Sequence, residues 1–174
     1  MNYHNITTDD MLNGSGLRVC LWCSGCDHHC DKCQNPQTWD KNSGISFDID
    51  AENELFDLLS RDYITGITFT GGDPLHSNNL DTVYGLCMRI KTEYSTKNIW
   101  LYTGYTWEEI FIDVSTQESM KRKQIINLCD VIVDGRFNES KKDMNYPWAG
   151  STNQRVIDVQ KTLETNAIVL WEQD

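Results

Sequence analysis

Short apolar runs alternate along the chain with longer segments whose leucines recur at helical spacing. A run such as ITGITFT (64–70) is rich in β-branched residues and short enough to be a buried strand. Leu55, Leu58 and Leu59 recur at the spacing of one helix face. The predicted strands are 17–23, 64–70, 99–103, 131–134, 154–159 and 167–171. The predicted helices are 51–62, 79–94, 106–112 and 117–128.

This alternation predicts the fold class. Strands that alternate with helices form βαβ units around a mainly parallel sheet, so we expect an α/β protein. Glycine and polar residues repeatedly follow the predicted strands, at the edge where α/β sheets and barrels build their binding sites. No repeat or Pro/Gly-rich linker divides the 174 residues, and we therefore expect one domain over 1–174.

Charge and cysteine content narrow the functional classes. The formal net charge of -11 at pH 7 disfavours nucleic acid as a partner, because phosphate binding needs a basic surface. The stretch MNYHNITTDD lacks a secretory pattern, and no apolar run approaches the length of a membrane span. The expected location is therefore the cytoplasm, where thiols stay reduced. In that compartment closely spaced cysteines are expected to bind metal, and the odd count of seven also fits a set of disulfides poorly.

Five of the cysteines lie in one stretch, VCLWCSGCDHHCDKC (19–33), and can be grouped in two ways. The first four, from Cys20 to Cys30, have the spacing C-x2-C-x2-C-x3-C. That spacing is typical of a fully ligated iron–sulfur cluster, and it would make the protein a ferredoxin-like electron carrier. The last three, from Cys26 to Cys33, have the spacing C-x3-C-x2-C, which would leave one iron of a cubane cluster without a protein ligand.

The strand pattern separates some of these cysteines from the metal. Cys20 lies inside a predicted strand and points to the opposite face from Val19, so we assign it to packing. Cys23 stands where that strand gives way to a loop, and its role stays open. Cys87 and Cys129 lie on predicted helix faces or element ends, where a free cysteine packs as a small apolar residue.

A zinc site is a further alternative. The zinc ion could be bound by two cysteine pairs, Cys20 with Cys23 and Cys30 with Cys33. The site could also recruit the adjacent His28 and His29. Zinc ribbons separate their cysteine pairs by a much longer segment, so the spacing disfavours zinc. The two histidines are expected to face solvent or to support the ligands.

In this context the sequence resembles the radical S-adenosylmethionine enzymes, whose signature is Cys-x3-Cys-x2-Cys in the loop after the first strand. The resemblance implies that Cys26, Cys30 and Cys33 hold a [4Fe-4S] cluster. It also implies that the open iron binds the amino and carboxylate groups of S-adenosylmethionine. The implied fold is an incomplete parallel barrel of the (β/α)6 type.

The same resemblance assigns cofactor contacts to turns after later strands. Gly71, Gly72 and Asp73 stand where the family has a GGE element that binds the methionine amino group. Two glycines let backbone carbonyls approach closely, and a carboxylate complements an ammonium group. The resemblance also implies cofactor contacts for Thr103 and Asp134. Arg136 is a candidate to bind the carboxylate of the cofactor.

Three motifs narrow the resemblance to the activating proteins of anaerobic ribonucleotide reductases. They are N-G-S-G-x-R (13–18), C-x-N-x-x-T-W (33–39) and G-S-x-N-Q-R (150–155). Asn35 and Trp39 of the second motif are thereby placed near the cluster. Ser15, Gln34 and Asp73 depart from the proline, aromatic residue and glutamate that are usual in the family.

The activity implied by this resemblance is the generation of a protein radical. Reduction of the cluster would cleave S-adenosylmethionine to methionine and a 5'-deoxyadenosyl radical. That radical would take a hydrogen atom from a glycine of the large subunit of anaerobic ribonucleoside-triphosphate reductase, and a flavodoxin-type protein is the implied electron donor. The alternatives left open are an activase of another glycyl radical enzyme and a ferredoxin-like electron carrier.

Overall fold

The computed structural model describes residues 1–112 and 114–172, and within them it contains seven strands and five α-helices. The strands are β1 (Asn2–Asp10), β2 (Arg18–Cys23), β3 (Ile45–Ser46), β4 (Gly66–Gly71), β5 (Asn98–Tyr102), β6 (Val131–Asp134) and β7 (Arg155–Asp158). The helices are α1 (Ile49–Leu59), α2 (Leu80–Glu93), α3 (Trp107–Ile112), α4 (Gln117–Leu128) and α5 (Val159–Thr165).

All seven strands belong to one mixed sheet in the order β3-β1-β2-β4-β5-β6-β7. β2, β4, β5 and β6 run parallel, whereas β1, β3 and β7 pair antiparallel at the two edges. The α/β class and the parallel centre are confirmed. The expected (β/α)6 barrel is not confirmed: in the described part of the chain the sheet stays open, because its outer strands return antiparallel instead of adding further parallel units.

Local sequence accounts for most of these elements. β4 (GITFTG) is buried along almost its whole length, as expected for a parallel strand covered on both faces. α1 begins after Asp48, whose side chain accepts hydrogen bonds from the N–H groups of Asp50 and Ala51. α4 begins after Thr116, which forms a capping box with Ser119. Among the described residues, no helix combines the length and the apolarity needed to cross a membrane.

The two faces of the sheet are covered differently. On one face, Val19, Leu21 and Cys23 of β2 join the main core with the helices. On the other face, a smaller core contains Trp100, with the rings of Trp148 and Trp171 packed around it. This second cover comes from loops and from the C-terminal segment, and not from a helix layer.

Arg18 connects the N-G-S-G-x-R motif to the centre of the sheet. Its guanidinium is fully buried and donates to Thr68 Oγ1 (2.7 Å), Asn98 Oδ1 (2.7 Å) and the carbonyl of Ile67 (2.6 Å). It also donates to the carbonyl of Ser15, within the motif itself (2.9 Å). The motif thus has a structural role, because Arg18 at the start of β2 is hydrogen-bonded to both β4 and β5.

The structure differs from the sequence predictions at the edges of the sheet. The run 167–171 was predicted to be a strand, but it makes only an isolated bridge between Leu170 and Ile157. Trp171 of this run instead covers the sheet, with its ring centroid 5.0 Å from that of Trp100. The sequence patterns also do not predict β1, β3 and α5. For β1 the reason is that NYHNITTDD is largely polar and half-buried and therefore shows little apolar alternation.

Candidate metal and cofactor site

The loop that follows β2 carries the last three cysteines of the cysteine-rich stretch and is closed at its base by backbone hydrogen bonds. The N–H of Gly25 donates to the carbonyl of Thr38 (2.7 Å), and that of Cys26 donates to the carbonyl of Trp39 (3.0 Å). A short 3-10 turn over Pro36–Thr38 brings the chain back to make these contacts. Both ends of the loop are thereby fixed beside the carboxyl end of β2.

Residues 26–33, called the cluster loop below, contain the cysteines that are only half-buried: Cys26, Cys30 and Cys33. All three line one cavity at the carboxyl edge of the sheet. The other four cysteines are buried: Cys20, Cys23, Cys87 and Cys129. Thiols on a shared cavity can be reached by incoming metal, whereas thiols inside the core cannot.

The pKa values of these thiols and their position on the cavity determine which kind of metal site they can form. Burial raises the pKa of the Cys26 thiol to about 12, and the Asp73 carboxylate adds to the shift. Burial also raises the pKa of Cys30, so both thiols are protonated near neutral pH and would release protons on binding metal. Within residues 1–112 and 114–172, no three His, Cys, Asp or Glu side chains converge tightly enough for a single metal ion. A [4Fe-4S] cluster takes each thiolate on a separate iron, so its three ligands need to line one cavity, as these three thiols do.

Two further residues of the C-x-N-x-x-T-W motif lie beside the cysteines. The backbone N–H of Asn35 donates to Sγ of Cys33 (3.4 Å), a kind of contact that tunes cluster thiolates. Trp39 lines the cavity, and its buried indole N–H has no hydrogen-bond partner among the described residues. An unpaired buried donor in the wall suits an acceptor such as a cluster sulfide. The residues of the cavity therefore fit a [4Fe-4S] cluster.

The Gly-Gly-Asp-Pro turn after β4 lies directly against the cluster loop. The N–H of Gly72 donates to the carbonyl of Cys23 (2.8 Å), and that of Asp73 donates to the carbonyl of Gly25 (2.7 Å). Gly71 has a φ of 99°, which glycine adopts without steric cost. Because Gly71 and Gly72 both line the cavity, the turn offers its backbone to the same space as the cysteines.

Thr103, at the end of β5, joins this wall of the cavity. Its hydroxyl donates to Oδ2 of Asp73 (2.9 Å), and both side chains line the cavity although they are almost fully buried. The carboxyl ends of β2, β4 and β5 meet at this point, since parallel strands place their ends at one edge. The structure therefore brings together Gly71, Gly72, Asp73 and Thr103 with the three cysteines.

The two residues predicted at the end of β6, Asp134 and Arg136, are paired with other side chains. Asp134 is 1% exposed and accepts a hydrogen bond from Arg155 (3.0 Å). Arg136 donates to the carboxylate of Glu109 (3.0 Å) and lines a neighbouring cavity. Among the described residues, Gly135 lines both cavities, whereas neither Asp134 nor Arg136 lines the one with the cysteines. Their contacts with a cofactor stay predictions.

Within the described chain, the cavity also contains seven residues that are not among the predicted site residues: His28, Thr70, Tyr102, Gly104, Gly135, Phe137 and Gln154. Gly104 follows a predicted strand and Gln154 belongs to the G-S-x-N-Q-R motif, so the sequence contained a signal that could have placed both residues at the site. The two adjacent histidines were expected either to face solvent or to support the ligands, and the structure shows one of each. His29 is exposed, whereas the side chain of His28 is 7% exposed and supports the loop from inside.

Known proteins resemble this chain over nearly its whole length. A family model described as a 4Fe-4S single cluster domain matches residues 12–157. An anaerobic ribonucleoside-triphosphate reductase-activating protein of Enterobacteria phage T4 is 36% identical over 174 residues, which is 100% of both chains. The protein of the same name from Escherichia coli (strain K12) is 39% identical over 158 residues, covering 90% of this chain and 97% of that one. The chain belongs to the family of anaerobic ribonucleoside-triphosphate reductase-activating proteins.

Membership of this activating-protein family decides between the metal classes. The match to a 4Fe-4S domain confirms the iron–sulfur prediction over the zinc alternative. The matched residues 12–157 include the cluster loop and the turns after β4, β5 and β6. The choice of Cys26, Cys30 and Cys33 as ligands, and the binding of S-adenosylmethionine, stay predictions.

Proposed function

We propose that this chain reductively cleaves S-adenosylmethionine at a [4Fe-4S] cluster held by Cys26, Cys30 and Cys33. We further propose that it thereby generates the glycyl radical of an anaerobic ribonucleoside-triphosphate reductase. The observation that carries the proposal is that these three half-buried cysteines line one cavity together with the Gly71–Gly72 turn. The names of the relatives, which are reductase-activating proteins, support the reductase as the partner.

The protein itself binds and orients the reacting groups. A cluster held there would supply the one electron that cleaves S-adenosylmethionine to methionine and a 5'-deoxyadenosyl radical, and that radical would become 5'-deoxyadenosine by taking a hydrogen atom from a glycine α-carbon. The thiols of Cys26, Cys30 and Cys33 would hold the cluster at the end of β2. The backbone of the Gly71–Gly72 turn would receive the methionine amino group, and Thr103 would close the same wall.

Exclusion of water is a second task of the cavity walls. The rings of Trp39 and Phe137 line the cavity beside the cysteines and present apolar surface to it. A dry wall protects a carbon radical from side reactions and strengthens polar contacts to the cofactor. The parallel strands β2, β4, β5 and β6 would then be the part of a (β/α)6-type barrel that this chain retains.

An external electron donor belongs to this proposal. The sequence has no second cysteine-rich run that could hold another cluster and relay electrons inward. We therefore propose a flavodoxin-type protein as the donor, acting on the half-buried face where the cysteines reach the surface.

Anaerobic reconstitution tests the function directly. The loaded protein is reduced and mixed with S-adenosylmethionine, with and without the reductase, and with a Cys87→Ala variant as a control for cysteine loss outside the site. We expect 5'-deoxyadenosine, methionine and a reductase-dependent glycyl radical signal in electron paramagnetic resonance. A cluster that reduces but leaves S-adenosylmethionine intact would favour the ferredoxin-like carrier. Cleavage with no radical on the reductase would favour an activase of another enzyme.

A further inference from the structure

The carboxylate of Asp73 is 2% exposed and accepts four hydrogen bonds from the protein. Oδ2 accepts from Nε2 of His28 (2.7 Å), Oγ1 of Thr103 (2.9 Å) and the N–H of Gly104 (3.0 Å). Oδ1 accepts from the N–H of Leu75 (2.8 Å). The two oxygens of a carboxylate offer about four acceptor positions, so these contacts use the capacity of the side chain.

These hydrogen bonds connect three separate segments of the chain. His28 belongs to the cluster loop, between Cys26 and Cys30. Asp73 belongs to the turn after β4, and Thr103 belongs to the loop after β5. A carboxylate oxygen can only accept, so Nε2 of His28 carries the proton that it donates. The Asp73 side chain therefore attaches the middle of the cluster loop, at His28, to the edge of the sheet.

The His28 side chain is enclosed as closely as a core residue. It is 7% exposed, and its ring packs edge to face against Tyr105, with ring centroids 4.7 Å apart. The backbone of Gly104 lies so close to the other side that a Cβ there would overlap the imidazole ring. Position 104 must therefore be glycine if His28 is to reach Asp73.

We propose that Asp73 and His28 are positioning residues that fix the cluster loop in place before metal arrives, and that Asp73 is not the hydrogen-bond partner of the cofactor ammonium group. The backbone of Gly71 and Gly72 is then left to bind that group. The proposal rests on the proposed function for what the cavity binds, but the attachment of the loop is a property of the protein chain alone.

The first experiment measures the loop without iron or S-adenosylmethionine. In the full-length protein before reconstitution, iodoacetamide alkylation of each cysteine is followed by mass spectrometry for His28→Ala and Asp73→Asn. We expect Cys26 and Cys30 to react about tenfold to a hundredfold faster, as for the loss of a buried hydrogen bond to a charged group. Cys87 should react at the wild-type rate, which shows that the fold is intact. Asp31→Asn, at an exposed position of the same loop, is the matched control and should change nothing.

Further variants distinguish positioning from general support of the fold. His28→Gln keeps a donor at a similar reach and should restore slow alkylation, whereas Gly104→Ala should act like His28→Ala by displacing the ring. The double variant His28→Ala with Asp73→Asn should react no faster than Asp73→Asn alone, because the His28 contact is one of those that the Asp73 change already disturbs. Wild-type alkylation rates in His28→Ala and Gly104→Ala would overturn the proposal.

A second measurement separates this proposal from the proposed function. In the reconstituted protein, the Kd for S-adenosylmethionine should rise in His28→Ala as well as in Asp73→Asn. A rise in Asp73→Asn alone, with unchanged alkylation, would identify Asp73 as a direct cofactor ligand and overturn the proposal. A failure of wild-type protein to cleave S-adenosylmethionine would contradict the proposed function, and the alkylation results would still decide the positioning role.

Discussion

Arg155 of β7 forms a two-point ion pair with Asp134 of β6, through Nε to Oδ1 (3.0 Å) and through Nη2 to Oδ2. The same carboxylate accepts a hydrogen bond from the N–H of Trp107, the first residue of α3 (2.7 Å). Asp134, the last residue of β6, therefore joins β6 to β7 and to the start of α3. A cofactor contact at Asp134 would have to compete with these three hydrogen bonds.

Glu108 extends this ion pair and makes stability depend on pH. Its carboxylate accepts from both terminal nitrogens of Arg155 (3.0 and 2.8 Å), and the hydrogen bond to Arg155 lowers the pKa of Glu108 below its ordinary value of 4.5. A carboxyl whose pKa is lower in the folded state stabilises the fold above its unfolded pKa, and this stabilisation is lost as the pH falls through the folded pKa. Since Glu108 is half-exposed, we expect a loss of less than about 1 kcal/mol.

Urea denaturation at about pH 6 and about pH 3.5 measures this loss. The free energy of unfolding should fall less on acidification in Glu108→Gln than in the wild type. Glu54→Gln, at an exposed position on α1, should keep the wild-type dependence. An identical pH dependence in Glu108→Gln and the wild type would contradict the expectation.

Gln154 of the G-S-x-N-Q-R motif connects its own loop to the segment after β6 through hydrogen bonds to backbone groups. Its Oε1 accepts from the N–H groups of Gly150 (3.0 Å) and Ser151 (3.2 Å), and its Nε2 donates to the carbonyl of Gly135 (2.9 Å). Gln154→Ala leaves these backbone groups without that partner and should lower the free energy of unfolding by about 1–3 kcal/mol. Hydrogen exchange should quicken at 135–138. Gln117→Ala, at an exposed site, should show neither effect.

The general position of the site could be predicted from the sequence because parallel strands place their carboxyl ends at one edge. Thr103 lies more than sixty residues from the cluster loop in sequence, yet both line one cavity. The β-branched run before each turn was a sufficient signal for the strand and therefore for the place of the turn.

The partners of individual side chains could not be predicted in the same way. His28 and His29 are adjacent and identical in type, but one is buried against Asp73 and the other is exposed. Their difference comes from the backbone, since His29 has a φ of 46° and turns the loop at that point. Likewise, Asp134 carries no sequence signal that its carboxylate pairs with Arg155, twenty-one residues later.

Arg18 offers a test of the structural role of the N-G-S-G-x-R motif. Burial lowers the pKa of its guanidinium to about 10, still high enough for the group to be charged at neutral pH. Arg18→Lys keeps the charge but cannot reproduce the forked hydrogen bonds to Thr68 and Asn98. We expect the free energy of unfolding to fall by at least about 2 kcal/mol in urea denaturation. Arg61→Lys, at an exposed position, should remain near the wild type, and an equally small effect at Arg18 would contradict the role.

The two groupings of the cysteines predict different outcomes of single substitutions. Cys20 and Cys23 are fully buried in the sheet and, unlike the other three cysteines of the stretch, they do not line the cavity. Cys20→Ala and Cys23→Ala should therefore keep the wild-type iron content and visible absorption after anaerobic reconstitution, with a loss of stability of about 1 kcal/mol.

By contrast, Cys26→Ser, Cys30→Ser and Cys33→Ser should each lose most of the iron and the charge-transfer absorption while keeping the unfolding midpoint of the apoprotein. These residues lie on the cavity surface, where a hydroxyl replaces the thiol at little cost to packing. Iron lost in a folded Cys23→Ala protein but kept in Cys33→Ser would reverse the assignment and restore the four-cysteine grouping of an electron carrier. The position of Cys33 beside the N–H of Asn35, which is already directed at its sulfur, argues for the opposite result.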